Sequence, residues 1–287
     1  MVSQIKSALV ALAVASQAIF TLSAQEVKFN HEATDTARIT TILIKEAGMP
    51  SPGSVTRIAE QFVGTPYAGG TLEGDSIETL RVNLDSLDCT TYVETVLALA
   101  YTAAEHRSSW RDFTYNLRRI RYRNGDINGY PSRLHYVSDW IVDNGARGIL
   151  QEITTASPKV RYRVKSLDFM STHRKLYPAL ADDDNYYKIK SVEAGFSNHR
   201  YPYIKGAGLK GKQIAEVAQD GDIVIFTTST PGLDATHMGI IKMADGTPML
   251  LHASSKEKKV VLDQLSLADY IARNRPEGIR LVRMTVK

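Results

Sequence analysis

The apolar positions of this chain change period along its length, from helical spacing early to alternation late. Glu32 to Ala47 carries apolar residues at helical offsets and stops at Gly48, and Ser54 to Val63 repeats the pattern before Gly64, so two short helices are predicted. GTPYAGGTLEGD, Gly64 to Asp75, reads as a glycine-rich loop, after which Leu80, Val82 and Leu84 alternate as a strand does. Another helix opens in LDCTTYVETVLAL with Asp88 as its cap. Ser109 is placed to cap a helix bearing Trp110, Phe113, Leu117 and Ile120 on one side. Ser132 is placed to cap the next, with Leu134, Val137, Trp140 and Ile141 inward and an end at Gly145. From there to about Ala218 the pattern is mixed and weak. DIVIFTT, HMGIIKM, PMLLHASS, KKVVLD and IRLVRMTV then read as a meander of strands, with one helix, Ser266 to Ala272, before the last. Helices first and an antiparallel sheet last predict an α+β fold rather than alternating parallel units.

The beginning of the chain reads as an export signal. Lys6 supplies positive charge, Ala8 to Leu22 is apolar apart from Ser16, Gln17 and Thr21, and Leu22-Ser23-Ala24 offers a cleavage point before Gln25. The run is shorter than the roughly 20 apolar residues of a spanning helix, and no cysteine follows it to carry lipid. Residues 1–24 are therefore expected to be a signal peptide and 25–287 a single domain, periplasmic or secreted, with no membrane insertion once the signal is removed. Hydrophobic and charged fractions of 43% and 23% are those of an ordinary globular protein. A net charge of +4, with no dense basic stripe, points to a small anionic substrate and away from nucleic acid. An exported chain with one cysteine cannot form an internal disulfide, so that thiol needs another explanation.

With Asp88 as cap, Cys89 falls in the first helical turn, and Tyr92, Val93, Val96, Leu97 and Ala100 continue its face. A helix N-terminus favours the thiolate, although free cysteines are also among the most buried residues. Of seven histidines, at 31, 106, 135, 173, 199, 237 and 252, only His237 and His252 fall in clear strands. Asp245-Gly246 between them signals a two-residue hairpin turn. If Ala244 faces Thr247, Gly239 lies opposite His252 and His237 is its diagonal neighbour on the same sheet face, the face on which the cysteine helix is expected to pack. Cys89, His237 and His252 then fit the roles of nucleophile, base and orienter in cysteine acyl transfer. Zinc held by the same three residues is the rival; there is no further ligand pair at metal spacing and no H-E-x-x-H, and neither metal nor cofactor is expected.

GTPYAGG, LDCTT, DGDIVIF, ATHMGIIK and LLHAS, in this order, resemble the signature blocks of the NlpC-type papain-like cell-wall hydrolases. RYRNGDINGYPSRLHYVSDWI, DFMSTH and YIARNRPEGIRLVRM are similar to one branch of them, the N-acetylmuramoyl-L-alanine-amidase-like proteins. The resemblance implies a papain-like core in which the cysteine helix packs on the C-terminal sheet, with residues of about 107–218 inserted between cysteine and histidine. It implies the Cys89, His237 and His252 roles again, places Tyr67 beside the cysteine, and implies cleavage between N-acetylmuramic acid, including its 1,6-anhydro form, and L-alanine in peptidoglycan fragments. Asp88 keeps a second reading open, because many relatives that cut the D-γ-glutamyl to diaminopimelate bond use the acid before the cysteine to bind a peptide amine. A peptidoglycan-binding module without turnover is the alternative of another class. Within the insertion Arg133, His135, Tyr136, Asp139 and Trp140, expected within two helical turns, offer an arginine fork and aromatic faces for substrate. The protein is expected to act as a monomer.

Overall fold

The computed structural model of the chain describes residues 27–47, 49 and 53–285, so the expected signal and the helix stop at Gly48 lie outside the described residues. β1 (Val27–Phe29), α1 (Glu32–Glu46), α2 (Ser54–Glu60) and β2 (Leu80–Val82) open the domain, β1 and β2 pairing in parallel. The next helix, α3 (Cys89–Ala104), is buried at every residue from Thr91 to Thr102, the mark of a helix surrounded by protein. Against it lies α4 (Trp110–Arg121), whose cap Ser109 accepts the Arg111 N–H at 3.1 Å. Arg121 and Glu94 join the two helices through a buried 2.6 Å ion pair.

The next helix departs from expectation. Ser132 is not a cap: its hydroxyl donates to Gly129 O at 2.7 Å and accepts the Asn128 N–H at 2.9 Å, inside a tight turn that contains Pro131. The helix α5 (Val137–Ala146) starts after Tyr136, which leaves Arg133, Leu134 and His135 in an extended lead-in rather than on a helical face.

The weakly patterned stretch contains β3 (Leu150–Glu152), β4 (Val160–Lys165), α6 (Phe169–Thr172), α7 (Asp183–Ala194), β5 (His199–Lys205) and α8 (Gly211–Ala215). Its three strands join the main sheet. After it come β6 (Ile223–Thr227), β7 (Ala235–Ala244), β8 (Thr247–Ser254), β9 (Lys259–Ser266), α9 (Leu267–Asn274) and β10 (Gly278–Met284). The sheet runs β4-β5-β10-β6-β7-β8-β9, with β3 also on β10, and its pairings are antiparallel. Consecutive strands β6 to β9 form the expected meander; β10 returns to the far side of β6.

Side chains alternate between the sheet's two faces, and each face is covered. Ile223, Ile225, Met238, Ile240, Leu251 and Ala253 pack with Tyr92, Val96 and Leu97 of α3. On the other face Val224, Phe226, Ile241 and Leu250 pack with Ile214 of α8 and with Leu267 and Ile271 of α9.

Candidate active site

Cys89 starts α3 because Asp88 closes a capping box ahead of it. The Asp88 carboxylate accepts the Thr91 N–H at 2.8 Å and the Thr91 hydroxyl at 2.9 Å, and that hydroxyl accepts the Asp88 N–H at 2.9 Å. The acid proposed to bind a peptide amine is thus engaged in the cap.

The hairpin closes with Ala244 opposite Thr247 and keeps its register to Ile240 opposite Leu251. His237 and His252 lie on one face, and His237 Nε2 meets His252 Nδ1 at 2.7 Å, the rings 4.9 Å apart and near perpendicular. A Cβ on Gly239 would come within 2.8 Å of Leu251 O and 3.0 Å of His252 Cβ, so the bare backbone there is what lets the rings approach.

One expectation fails. The imidazoles do not share their face with α3: His237 stacks on Phe226, His252 abuts Tyr270 of α9, and both lie opposite the α3 side. The physical reason is alternation, since Met238 and Ile240 are the β7 residues that turn toward α3. The sulfur instead meets the β7 backbone at Met238, the residue next to His237. Ile241 N–H donates to Asp222 O of the β6 side, so the even-numbered N–H groups of β7 point toward β8. Beyond Ile240 the regular β7–β8 pairing ends, and the Met238 N–H donates to the Cys89 sulfur. A charge forming on the sulfur would raise Tyr67 on the loop before α3 and Tyr270 across the sheet.

Electrostatics correct a second expectation. Burial and the Asp88 carboxylate push the Cys89 thiol up to about 11, against the Met238 N–H and the Thr90 hydroxyl and N–H, which favour the thiolate. The helix N-terminus does not prevail. Burial and the neighbouring His252 hold His237 down to about 3, and burial lowers His252, opposed by Asp263. Each of these shifts favours the neutral form of its group. The two ring nitrogens face each other instead of a shared third point, an arrangement for passing a proton.

His237, His252, Asp263 and Tyr270 line one cavity of about 580 Å³, walled by the β8–β9 hairpin and α9 and rimmed by Lys256 and Arg273. Cys89, half-buried, is not among its lining residues. Asp263 and Tyr270 escaped the sequence reading. Asp263 could have been found by extending the register to the second hairpin, where His252 opposes Val261 and Asp263 follows on the same face; nothing in the sequence singles out Tyr270.

The insertion residues proposed to grip substrate hold the fold together instead. Arg133 is buried and reaches Leu72 O at 3.1 Å and Glu73 Oε1 at 2.5 Å, pinning the glycine-rich loop. His135 Nε2 meets Tyr130 O at 3.0 Å. The Tyr136 hydroxyl donates to Glu193 at 2.7 Å and accepts the Met170 N–H. Asp139 takes both prongs of Arg123, and Trp140 is core. Tyr67, half-buried, donates its N–H to Lys258 O at 2.9 Å.

A family model described as AmiA-like, N-acetylmuramoyl-L-alanine amidase-like, matches residues 57–279. The chain belongs to that family. A crystal structure named an N-acetylmuramoyl-L-alanine amidase from Bacteroides uniformis is 41% identical, covering 81% of this chain and 97% of its own, with a TM-score of 0.74. A Bacteroides fragilis structure provisionally named a xylanase is 42% identical, covering 79% of this chain and all (100%) of its own, with a TM-score of 0.73. A Legionella pneumophila protein at 23% identity and a TM-score of 0.69, covering 88% of this chain and 95% of its own, shares the fold. Among curated proteins there is no match. Within this amidase family the described residues contain no group of three or more His, Cys, Asp or Glu arranged to hold a metal, and no helix long and apolar enough to cross a membrane.

Proposed function

We propose that this amidase-family enzyme cuts the amide between N-acetylmuramic acid, including its 1,6-anhydro form, and L-alanine by a Cys89/His237/His252 mechanism in a papain-like core of the NlpC type. Two contacts support the reading: in a chain of the amidase-like family, His237 and His252 hydrogen-bond each other across β7 and β8, and the Cys89 sulfur bonds the backbone of Met238, the residue next to His237. Cys89 Sγ attacks the lactyl amide carbon while its proton passes to His237. His237 then protonates the alanine nitrogen, the C–N bond breaks, and the peptide leaves with a free amine. Water, deprotonated by His237, cleaves the thioester to a carboxylic acid and restores the thiol. With the shifts of thiol and His237 both favouring the neutral forms, proton transfer and attack are coupled, and the Met238 and Thr90 donors favour the sulfur anion as it forms.

The xylanase name of one relative does not extend to this site. Glycoside hydrolysis rests on two carboxylates facing each other across the bond, roughly 5–9.5 Å apart, whereas the groups in direct contact here are two imidazoles, with Asp263 behind His252 and Glu257 also on the cavity wall. Asp88 Oδ1 serves the helix cap, which accounts for that acid without the peptide amine of the γ-glutamyl endopeptidase reading. The reading also places the mature protein in the periplasm or outside the cell, where wall fragments are found.

Purified protein incubated with defined muropeptides, followed by product masses, tests it. Muramic acid plus peptide is expected; a cut after γ-glutamate, or release of xylose units from xylan, overturns it. Cys89→Ala is expected to abolish turnover with an unchanged circular dichroism spectrum, and continued turnover by that variant refutes the nucleophile.

A further inference from the structure

Behind His252 stands a carboxylate. Asp263 Oδ2 lies 3.5 Å from His252 Nε2, with the imidazole side chain 3% exposed and the carboxylate 19%. That buried Nε2 has no hydrogen-bond partner at closer range. A buried imidazole N–H costs about 1–3 kcal/mol when left unpaired, so the acid is the partner it has. Tyr270 covers the pair from α9, its ring 5.4 Å from that of His252, while Glu257 adds a second, more distant negative charge.

We propose that Asp263 is a positioning residue that sets the tautomers of both imidazoles in series. The inference rests on the Cys89/His237/His252 reading. A carboxylate only accepts hydrogen bonds, so it selects the His252 tautomer with hydrogen on Nε2. His252 Nδ1 is then a lone pair. At 2.7 Å from it, His237 Nε2 must carry the hydrogen and donate. That leaves His237 Nδ1 as the free lone pair, the atom that takes the thiol proton. When it does, positive charge spreads over two rings that end on a carboxylate, and the proton stays on the imidazoles. Without Asp263 either tautomer of His252 is available, and one of them turns an N–H on His237 and reverses the whole relay.

Asp263 also has a structural duty, because its Oδ1 accepts the Leu265 N–H at 2.9 Å in the turn that ends β9. The test has to separate the two. Asp263→Asn keeps that oxygen and removes the charge; Asp263→Ala removes both; Asp263→Glu restores the charge. For Asp263→Asn, kcat on a muramoyl-peptide is expected to fall about 10- to 100-fold, less than the roughly 10⁴-fold of a carboxylate bonded directly to the catalytic histidine, because this one acts a ring further back. KM should stay within about twofold and the melting temperature close to wild type, with Asp263→Glu recovering part of kcat. In protein labelled with ¹⁵N-histidine, long-range couplings should show His237 and His252 both as Nε2–H tautomers, and Asp263→Ala should turn His252 into a mixture. Wild-type kcat in Asp263→Asn, or unchanged tautomers in Asp263→Ala, overturns the inference. Cys89→Ala and His237→Ala run alongside: loss of turnover there with full turnover in the Asp263 variants sinks this inference alone, whereas turnover retained in Cys89→Ala sinks the reading beneath it.

Discussion

Replacing Gly239 by Ala is the sharpest test of how the site is built. The added methyl would stand 2.8 Å from Leu251 O, 2.8 Å from Leu250 Cδ1 and 3.0 Å from His252 Cβ. Ordinary carbon contacts start near 3.4–3.5 Å, so β8 must yield by roughly 0.5 Å, and two of the obstacles are backbone or backbone-attached atoms that cannot rotate away. Overpacking of this kind costs about 1–3 kcal/mol, or roughly 2–10 °C in melting temperature for a domain of this size. The functional cost should be larger than the stability loss implies. His252 is carried on the strand that moves, and its 2.7 Å bond to His237 lengthens with the shift. A 1 Å misplacement in an active site is worth about 10²-fold, so half of that predicts a loss of roughly 10-fold in kcat with KM little changed. Steady-state hydrolysis of a muropeptide, read by product mass, and thermal melting supply the two numbers. A Gly211→Ala control, whose methyl would meet Ala268 Cβ at an ordinary 3.9 Å, should change neither. Wild-type kcat in Gly239→Ala, with the melting temperature lowered as expected, would refute the claim that ring separation limits the chemistry.

The raised thiol predicts sluggish alkylation. With its pKa near 11, Cys89 is about 10⁻⁴ thiolate at pH 7 against a few per cent for a free cysteine, so iodoacetamide should label it on the order of 100-fold more slowly than a small thiol. The sign is that of an acid made weaker: labelling should rise about tenfold per pH unit up to pH 10, and a plateau below pH 7 would instead reveal a resting thiolate–imidazolium pair. Lys165→Met should loosen the approach to the catalytic strand, because Lys165 Nζ donates to Thr228 O, Thr230 O and Leu233 O at 2.6, 2.9 and 2.7 Å. A loss of about 2–3 kcal/mol and faster hydrogen exchange over 228–234 are expected, and unchanged exchange there would show the clamp to be idle.

How much of this was legible in the sequence depends on how local each determinant is. The cap at Asp88, the helix at Ser109 and the hairpin at Asp245-Gly246 follow from residues within a few positions of one another, and the pairing of His237 with His252, 15 residues apart, follows from counting outward from that turn. The helix expected from Ser132 failed because Pro131 and Gly129 favour a tight turn that absorbs the serine's hydroxyl. The side of the sheet on which α3 lies was not local. It depends on which alternate residues of β7 find an apolar partner layer, and both layers here are apolar, one under α3 and one under α9. Nor was the thiol's protonation state, which is decided by surroundings brought together from α3 and β7.

The insertion shows the same limit from the other direction. Read as an elaboration between cysteine and histidine, it instead supplies three strands of the main sheet and much of the support for the segment that enters β7. Alternation in VRYRVK was present but pointed Tyr162 and Val164 outward at the sheet's edge, 48% and 57% exposed, where an apolar stripe does not mark a core. Lys165 holds the 228–233 carbonyls, Asp168 N–H donates to Gly232 O, and buried Asp234 accepts the Ser138 N–H at the start of α5. A Cβ on Gly232, already at φ +73°, would fall 2.9 Å from Phe169 N, so that loop is fitted to the insertion at backbone level. Three residues past Asp234, the chain reaches His237. Removing the insertion would therefore unmoor the histidine that the mechanism needs, and its length reflects the work of fixing that loop as much as any contact with substrate.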